Sequence, residues 1–157
     1  MTPAAVVPKV RIVVLRGPPH AREILLLLHP QTAPQLPGGG IESGETPLEA
    51  ARRELHEESG LWIEDDGEML GPFDYRLTGG PHGDGLLETQ RWHVWCIEAP
   101  DGVRDVWTHD VHGDGIDAGY RFGYRWAPLD AALVDRVHER FRPLVARLAG
   151  QPPGRIG

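Results

Sequence analysis

One stretch, residues 39–61, constrains this chain most strongly, because it joins a glycine-rich turn to a helix that has signals at both ends. Its sequence is GGIESGETPLEAARRELHEESGL. Thr46 suits the N-cap position, and Glu49 follows three residues later, which is the spacing of a capping box. Pro47 suits the first helical position, and Gly60 suits the left-handed position after the last turn. We therefore predict a helix that begins at Pro47 and ends before Gly60.

Three acidic residues, Glu54, Glu57 and Glu58, lie at positions i, i+3 and i+4 of this helix. This spacing places them on one flank, where like charges repel each other, and the helix macrodipole also disfavours anions near the C-terminus. The apolar stripe beside them consists of Leu48, Ala51 and Leu55. One edge of the helix should therefore pack while the next presents carboxylates to a cleft, where Mg²⁺ or Mn²⁺ would neutralise them.

A glycine-rich segment, LPGGG, precedes the helix at residues 36–40. Glycine lets a ligand approach the backbone closely, so this loop can offer carbonyl oxygens to a metal and N–H groups to a phosphate. The alternative is a helix that is only a solvated, charged face, on which Arg53 pairs with Glu49 or Glu57. The glycines and acids stand in register with one another, which favours a functional site.

With these positions filled, residues 39–61 resemble the complete signature of the Nudix hydrolase family. The resemblance implies an α/β fold, namely an α/β/α sandwich with a mixed β-sheet. It also implies a pyrophosphohydrolase that depends on a divalent metal, Mg²⁺ or Mn²⁺, and cleaves a nucleoside diphosphate linked to another group (NDP–X). The metal ligands implied by the resemblance are Glu54, Glu57 and Glu58, with the backbone carbonyl of the Gly39 region.

The resemblance further implies a catalytic group, in which Arg53 and Glu45 orient the loop and the helix around Glu57 and Glu54. We expect water to attack phosphorus, because a divalent cation would offset the phosphate charge and activate the water. The general base stays open and could come from a downstream loop at residues 109–119. The candidates in that loop are His109, Asp110, His112, Asp114 and Asp117. We favour the simpler interpretation that this loop is a solvated turn.

Composition narrows the class of protein. The formal net charge of −7 over 157 residues gives no support for a nucleic-acid scaffold, so we expect no nucleic-acid partner. The partner that the resemblance implies is a small nucleotide substrate. The single cysteine, Cys96, lies in an apolar run and is expected to be a core thiol. Without an apolar run of signal-peptide or transmembrane length, we expect a cytoplasmic protein and no membrane partner. We expect one domain over residues 1–150, possible homodimers, and a disordered tail over residues 151–157.

The remaining chain suggests strands and one further helix. We predict strands at 10–15, 23–29, 90–98 and 120–126, one or two extended segments within 62–75, and a candidate strand at 103–108. In the 90–98 strand, we expect Trp92, Val94 and Cys96 to alternate with an opposite row formed by Arg91, His93 and Trp95. Residues 78–85 are predicted to be a loop. A C-terminal helix should begin after Asp130 and be kinked or split at Pro143, near Phe141.

Substrate recognition is the least constrained feature. An aromatic side chain is expected to hold the base, and the weak candidates for substrate binding are Tyr75, Arg76 and Arg91. A noncatalytic nucleotide-binding module is the alternative function, although it has no need of three intact carboxylates. An isomerase that uses Cys96 ranks lowest. The NDP–X compound, the number of metal ions and the oligomeric state stay open.

Overall fold

A mixed sheet of seven strands forms the centre of the computed structural model, which describes residues 5–79, 85–111 and 118–150. The strands are β1 (Val6–Arg16), β2 (Glu23–Leu28), β3 (Gly38–Gly40), β4 (Glu68–Gly79), β5 (Gly85–Glu98), β6 (Val106–Asp110) and β7 (Arg121–Pro128). The described residues also form α1 (Pro47–Ser59), α2 (Arg142–Gly150) and two 3₁₀ helices, Ala131–Asp135 and Glu139–Phe141.

Strand β1 organises the sheet because it pairs with three others. It runs parallel to β5 from the Val6–Thr89 pair to the Leu15–Glu98 pair. On its other edge it pairs antiparallel with β3 near its middle and with β2 only at its end. The strand order is therefore β4-β5-β1-β2-β7-β6, with β3 beside β1. This arrangement places the glycine segment of β3 beside the centre of the sheet.

Each face of the sheet packs against a different helical layer, which confirms the predicted α/β/α sandwich. Side chains of β1 alternate between the faces: Ile12 packs in one core and Val13 in the other. The first core includes Ala51 and Leu55 of α1, and the second is covered by the C-terminal 3₁₀ helices and α2. Continuous apolar runs such as that of β2 follow from burial on both faces.

Helix α1 forms as predicted, because its end signals are satisfied locally. The Thr46 hydroxyl accepts a hydrogen bond from the Glu49 N–H at 3.1 Å, and the Glu49 carboxylate accepts one from the Thr46 N–H at 3.0 Å. Gly60 adopts a φ of 81°, which favours glycine, and its N–H donates to the carbonyl of His56. The sequence therefore defines both ends of this helix correctly.

The expected alternation in the 90–98 strand is confirmed for its apolar residues. Trp95 lies on the face opposite to Trp92, Val94 and Cys96, and its side chain is fully buried in the core beneath α1. Trp92 and Cys96 are buried in the opposite core, which confirms the prediction of a core thiol. The strand is covered on both faces of the sandwich, so apolar side chains occur in both rows.

The C-terminal segment splits rather than kinks. Asp130 caps a short 3₁₀ helix, as its N-cap role predicts, and a second 3₁₀ helix ends at Phe141. Helix α2 then begins at Arg142, so Pro143 lies in its first turn, where the missing N–H of proline is tolerated. The predicted split near Phe141 is correct, but the single long helix is not.

Two predicted loops are shorter than expected. Strands β4 and β5 extend to Gly79 and from Gly85, so only residues 80–84 separate them, and these lie outside the described residues. His109 and Asp110 belong to strand β6 rather than to a loop. The described ranges omit His112, Asp114, Asp117 and the 151–157 tail. Within those ranges, no helix is both long enough and apolar enough to cross a lipid bilayer.

Candidate active site

The acidic flank of α1 lies against the glycines of β3. Glu58 is buried, with 5% of its surface exposed, and its carboxylate accepts a hydrogen bond from the Gly38 N–H at 3.0 Å. A Cβ atom added at Gly39 would lie 2.4 Å from the carboxyl carbon of Glu54, far inside van der Waals contact. Glycine at position 39 is therefore what lets the Glu54 carboxylate approach the backbone of β3.

Arg53 joins the parts of this site. Its guanidinium donates two hydrogen bonds to Glu45, at 2.7 and 2.8 Å, and one to the carbonyl of Gly40 at 3.0 Å. It also donates to Glu54 at 3.0 Å and to Glu57 at 3.3 Å. A planar group with five N–H donors suits this role, because the bidentate pair with Glu45 fixes its orientation. The side chain thereby links the loop before α1 to two of its acids.

Electrostatics distinguish the carboxylates of this network. Hydrogen bonding from Arg53 holds the pKa of Glu45 below its ordinary value, and the same bonds raise the pKa of Arg53. Burial raises the pKa of Glu54, although its bond to Arg53 opposes that shift. Glu54 therefore gains from any added positive charge, since a cation would favour its ionised form.

The residue types fit a hard divalent cation. Carboxylates from Glu54, Glu57 and Glu58 and a nearby glycine backbone supply only oxygen donors, which Mg²⁺ and Mn²⁺ prefer. As the side chains stand, no three acidic, histidine or cysteine groups in the described ranges converge as a set of metal ligands. Arg53 instead bonds two of the three acids. Glu54 and Glu57 each bond Arg53 through one carboxylate oxygen, so the second oxygen of each could bind an ion while the bond to Arg53 is kept.

The C-terminal end of α1 is anchored to strand β6. The indole N–H of Trp107 donates to the carbonyl of Ser59 at 3.0 Å, and the Ser59 hydroxyl donates to the carbonyl of Leu55. The His109 ring lies close to Gly60, where an added Cβ would be 3.0 Å from the ring. His109 thus packs at the helix end, and Asp110 forms an exposed ion pair with Arg121.

The three weak substrate-binding candidates lie on strands β4 and β5. Tyr75 stacks on Trp92, with ring centroids 5.2 Å apart, and both line a cavity of about 430 Å³ beneath the C-terminal segment. Arg91 instead forms a bidentate, exposed ion pair with Asp74, and Arg76 is exposed. Of the three, Tyr75 is the one that lines this cavity.

Sequence reasoning missed Arg11, which is buried near the acids of α1. Its side chain is 7% exposed, and its guanidinium lies over the Trp92 ring at 4.6 Å. The charges of Glu58 and Glu54 are close enough to act on its pKa. A signal was available, because Arg11 is the one charged residue within the apolar run of residues 10–15, where a charge is costly to bury.

One protein family and its curated members resemble most of this chain in sequence. The NUDIX domain model matches residues 7–148. A protein of Francisella tularensis subsp. mediasiatica (strain FSC147), named RNA pyrophosphohydrolase, is 34% identical over 109 residues, which are 64% of this chain and 67% of that protein.

Solved structures share the fold. The MutT protein from Methanosarcina mazei Go1 aligns with a TM-score of 0.63 at 20% identity, covering 94% of this chain and 95% of that one. The C. elegans Ap4A hydrolase aligns with a TM-score of 0.56 at 19% identity, covering 92% and 97%. At these identities the likeness shows the fold alone.

Proposed function

Because the chain belongs to the NUDIX domain family, we propose that it cleaves the pyrophosphate link of a nucleoside diphosphate joined to another group, NDP–X. The chain is a hydrolase acting on phosphoric anhydride bonds, as its family and its RNA pyrophosphohydrolase relative indicate. This assignment disfavours the noncatalytic nucleotide-binding module. We further propose that this cleavage depends on a divalent metal ion.

The Arg53 network is the observation that supports this function most strongly. One guanidinium bonds Glu45, the Gly40 carbonyl, Glu54 and Glu57, so the loop and the acidic flank are held together. An ordinary solvated helix face needs no such loop contact, and its ion pairs contribute little. Arg53 and Glu45 therefore act as positioning residues that hold the acids against β3.

The roles of the acids follow from their positions. Glu54, Glu57 and Glu58 would hold Mg²⁺ or Mn²⁺ with the backbone of Gly39, and Glu57 is our first choice as chief ligand. A bound divalent ion would supply positive charge to offset that of the phosphates. Glu58 holds β3 through the Gly38 N–H, and Glu54 lies against Gly39. A water molecule then attacks phosphorus and releases two phosphorylated products.

A second candidate substrate is the 5′ end of an RNA. The protein of F. tularensis named RNA pyrophosphohydrolase favours it, because 34% identity extends over 109 residues of this chain. The sequence led us to expect no nucleic-acid partner, on the basis of a formal net charge of −7. A single RNA end needs only a local phosphate site, so overall acidity does not decide between the two candidates.

The test is hydrolysis of a substrate panel with Mg²⁺ or Mn²⁺, with products resolved by mass. The panel contains nucleoside triphosphates, ADP-ribose, nucleotide sugars, dinucleoside polyphosphates and a 5′-triphosphorylated RNA oligonucleotide. We expect metal-dependent cleavage that falls by about 10²-fold or more in Glu57→Gln, which keeps the shape and removes the charge. Full metal-dependent turnover by Glu57→Gln would contradict the proposed site.

A further inference from the structure

Arg11 is a buried charge that the proposed hydrolysis does not yet use. It lies at the middle of β1, on the face that Val13 and Leu15 share and the C-terminal segment covers. Moving a guanidinium out of water is costly unless an ionised partner compensates. Burial is accordingly the main reason that the pKa of Arg11 is lowered to about 10.

The charges of Glu58 and Glu54 act in favour of the ionised Arg11, but its hydrogen bonds compensate for little of the cost of burial. In the described part of the chain, its one side-chain hydrogen bond runs to the Gln90 side-chain oxygen at 3.4 Å. That oxygen also accepts a hydrogen bond from the Trp92 indole at 3.0 Å. The Arg11 Nε is buried and makes no hydrogen bond to the described residues. The rings of Trp92 and Phe141, at 4.6 and 5.2 Å, supply cation–π contacts and no hydrogen-bond acceptor in the plane of the guanidinium.

A second arginine faces the same region. Arg140 belongs to the 3₁₀ helix Glu139–Phe141, lines the cavity that contains Tyr75 and Trp92, and is close enough to lower the pKa of Arg11 by repulsion. Its buried Nε also makes no hydrogen bond within the described ranges. Arg140 lines the same cavity as Trp92, and the Arg11 guanidinium lies 4.6 Å from the Trp92 ring. Two guanidinium groups beside one ring, each with a buried Nε that makes no hydrogen bond to the described residues, form a site that an anion would stabilise.

This arginine pair adjoins the acids of α1. The Arg11 side chain runs past Gly38, where an added Cβ would lie 3.1 Å from the Arg11 Cδ, and the Gly38 N–H donates to Glu58. The charges of Glu58 and Glu54 also act on Arg11. Gly38 of β3 thus lies between the Glu58 carboxylate and the Arg11 side chain.

We propose that Arg11 and Arg140 form an anion subsite that holds a substrate phosphate adjacent to the phosphate bound at the acids of α1. This inference rests on the proposed function, and it assigns one phosphate of the pyrophosphate link to the two arginines and the other to the acids. Guanidinium suits the task because it stays charged and donates several hydrogen bonds to phosphate oxygens. Arg11 and Arg140 are positioning residues of the site, and they take no proton in the reaction.

A purely structural role for Arg11 makes a different prediction. If Arg11 only supports packing, its replacement should destabilise the fold, because its contacts are lost. A buried charge that is kept for a ligand does not stabilise the free protein. Replacing it in Arg11→Met should therefore leave the melting temperature unchanged or raise it. Thermal melting therefore gives a readout that does not depend on turnover.

The decisive experiment is calorimetric titration with inorganic pyrophosphate in EDTA at low ionic strength. We compare the unaltered protein with Arg11→Gln, Arg140→Gln and Arg136→Gln. Arg136 is an exposed residue of the same C-terminal segment, so its variant removes an equal charge outside the cavity. We expect the dissociation constant to rise by about 10- to 100-fold in the first two variants and to change little in the third.

The outcomes separate this inference from the proposed function. Equal affinity in all four proteins, an equal loss in Arg136→Gln, or no binding by the unaltered protein would overturn the anion subsite. Arg140 lies near the surface, so its variant tests the subsite even if Arg11→Gln fails to fold. Glu57→Gln should still bind pyrophosphate while losing hydrolysis. If it kept hydrolysis while the two arginine variants lost binding, the subsite would stand and the catalytic assignment would fall.

Discussion

At the scale of single residues, the sharpest contrast lies between two neighbouring glycines. A Cβ at Gly39 would meet the Glu54 carboxyl group at 2.4 Å, whereas a Cβ at Gly40 would have 3.9 Å to its nearest neighbour, the Lys9 Nζ. We expect Gly39→Ala to displace Glu54 and lower kcat/KM by about 10- to 100-fold, without unfolding the protein, because only a side-chain end must move. Gly40→Ala is the matched control, and equal activities of the two variants would contradict the role of Gly39.

A second residue-scale prediction concerns Cys96. Burial raises the pKa of its thiol to about 12, from an ordinary value of 9.0. At pH 8 the thiolate fraction is then about 10⁻⁴, so iodoacetamide should not modify the folded protein. Because the folded-state pKa is raised, the contribution of Cys96 to stability is complete below pH 9 and is lost as pH rises toward 12.

Mass spectrometry after timed alkylation checks the prediction for Cys96, with protein in guanidinium chloride as the control. The denatured chain should be modified fully under the same conditions. Rapid modification of the folded protein at pH 8 would show that the thiol is accessible, which would also revive a chemical role for it.

Arg11 shows why residue-level prediction from sequence was incomplete. The sequence alone reveals the acidic site, because its acids lie three and four residues apart in one helix: Glu54, Glu57 and Glu58. The environment of Arg11 depends instead on Gln90 and Trp92, which lie far along the chain and meet it only across the folded sheet. The residues adjacent to Arg11 in the sequence do not indicate which distant side chains it contacts.

At the scale of elements, α1 should depend on its N-cap. The Thr46 hydroxyl and the Glu49 carboxylate each satisfy a backbone N–H of the first turn. We expect Thr46→Ala to lower the free energy of unfolding by about 1 kcal/mol, and Thr46→Ser to restore most of it. Urea denaturation measures both values. An alanine variant as stable as the serine variant would mean that the capping box contributes nothing.

Elements with local signals were predicted well, and those with tertiary determinants were not. Helix α1 carries its own caps, and the β2 run is too apolar to lie anywhere but a core. The opposite case is β5, where Trp95 points into a second core that the sequence pattern could not reveal. The C-terminal segment was predicted as a helix kinked or split near Phe141, and the structure has two short 3₁₀ helices before α2.

At the scale of the whole molecule, the proposed metal site should couple to stability. An ion that binds only the folded protein stabilises it by about 2.7 kcal/mol when its concentration is 100 times the dissociation constant. We therefore expect Mg²⁺ or Mn²⁺ to raise the melting temperature and EDTA to reverse the change. In Glu57→Gln the increase should be much smaller. Equal shifts in both proteins would indicate binding elsewhere.

The fold and the family followed from residues 39–61 alone, whereas the arrangement of the site did not. The resemblance implied the sandwich and the acids, and the structure adds that Arg53 holds them to the Gly40 carbonyl and Glu45. The cavity beside Tyr75 and Trp92 is formed by the C-terminal segment and two strands. Its existence depends on how distant elements pack, which composition and periodicity do not specify.

The parallel pairing of β1 with β5 has a consequence for the order of events during synthesis. Val6 pairs with Thr89, so β1 leaves the ribosome long before β5, and one of its edges stays uncovered until β5 is made. Contacts of such long sequence separation slow folding, and an uncovered apolar edge invites association with other chains. The acid-bearing helix emerges during that interval. Nascent chains stopped before β5 should therefore depend on chaperones, and the site should become complete only in the last stage of folding.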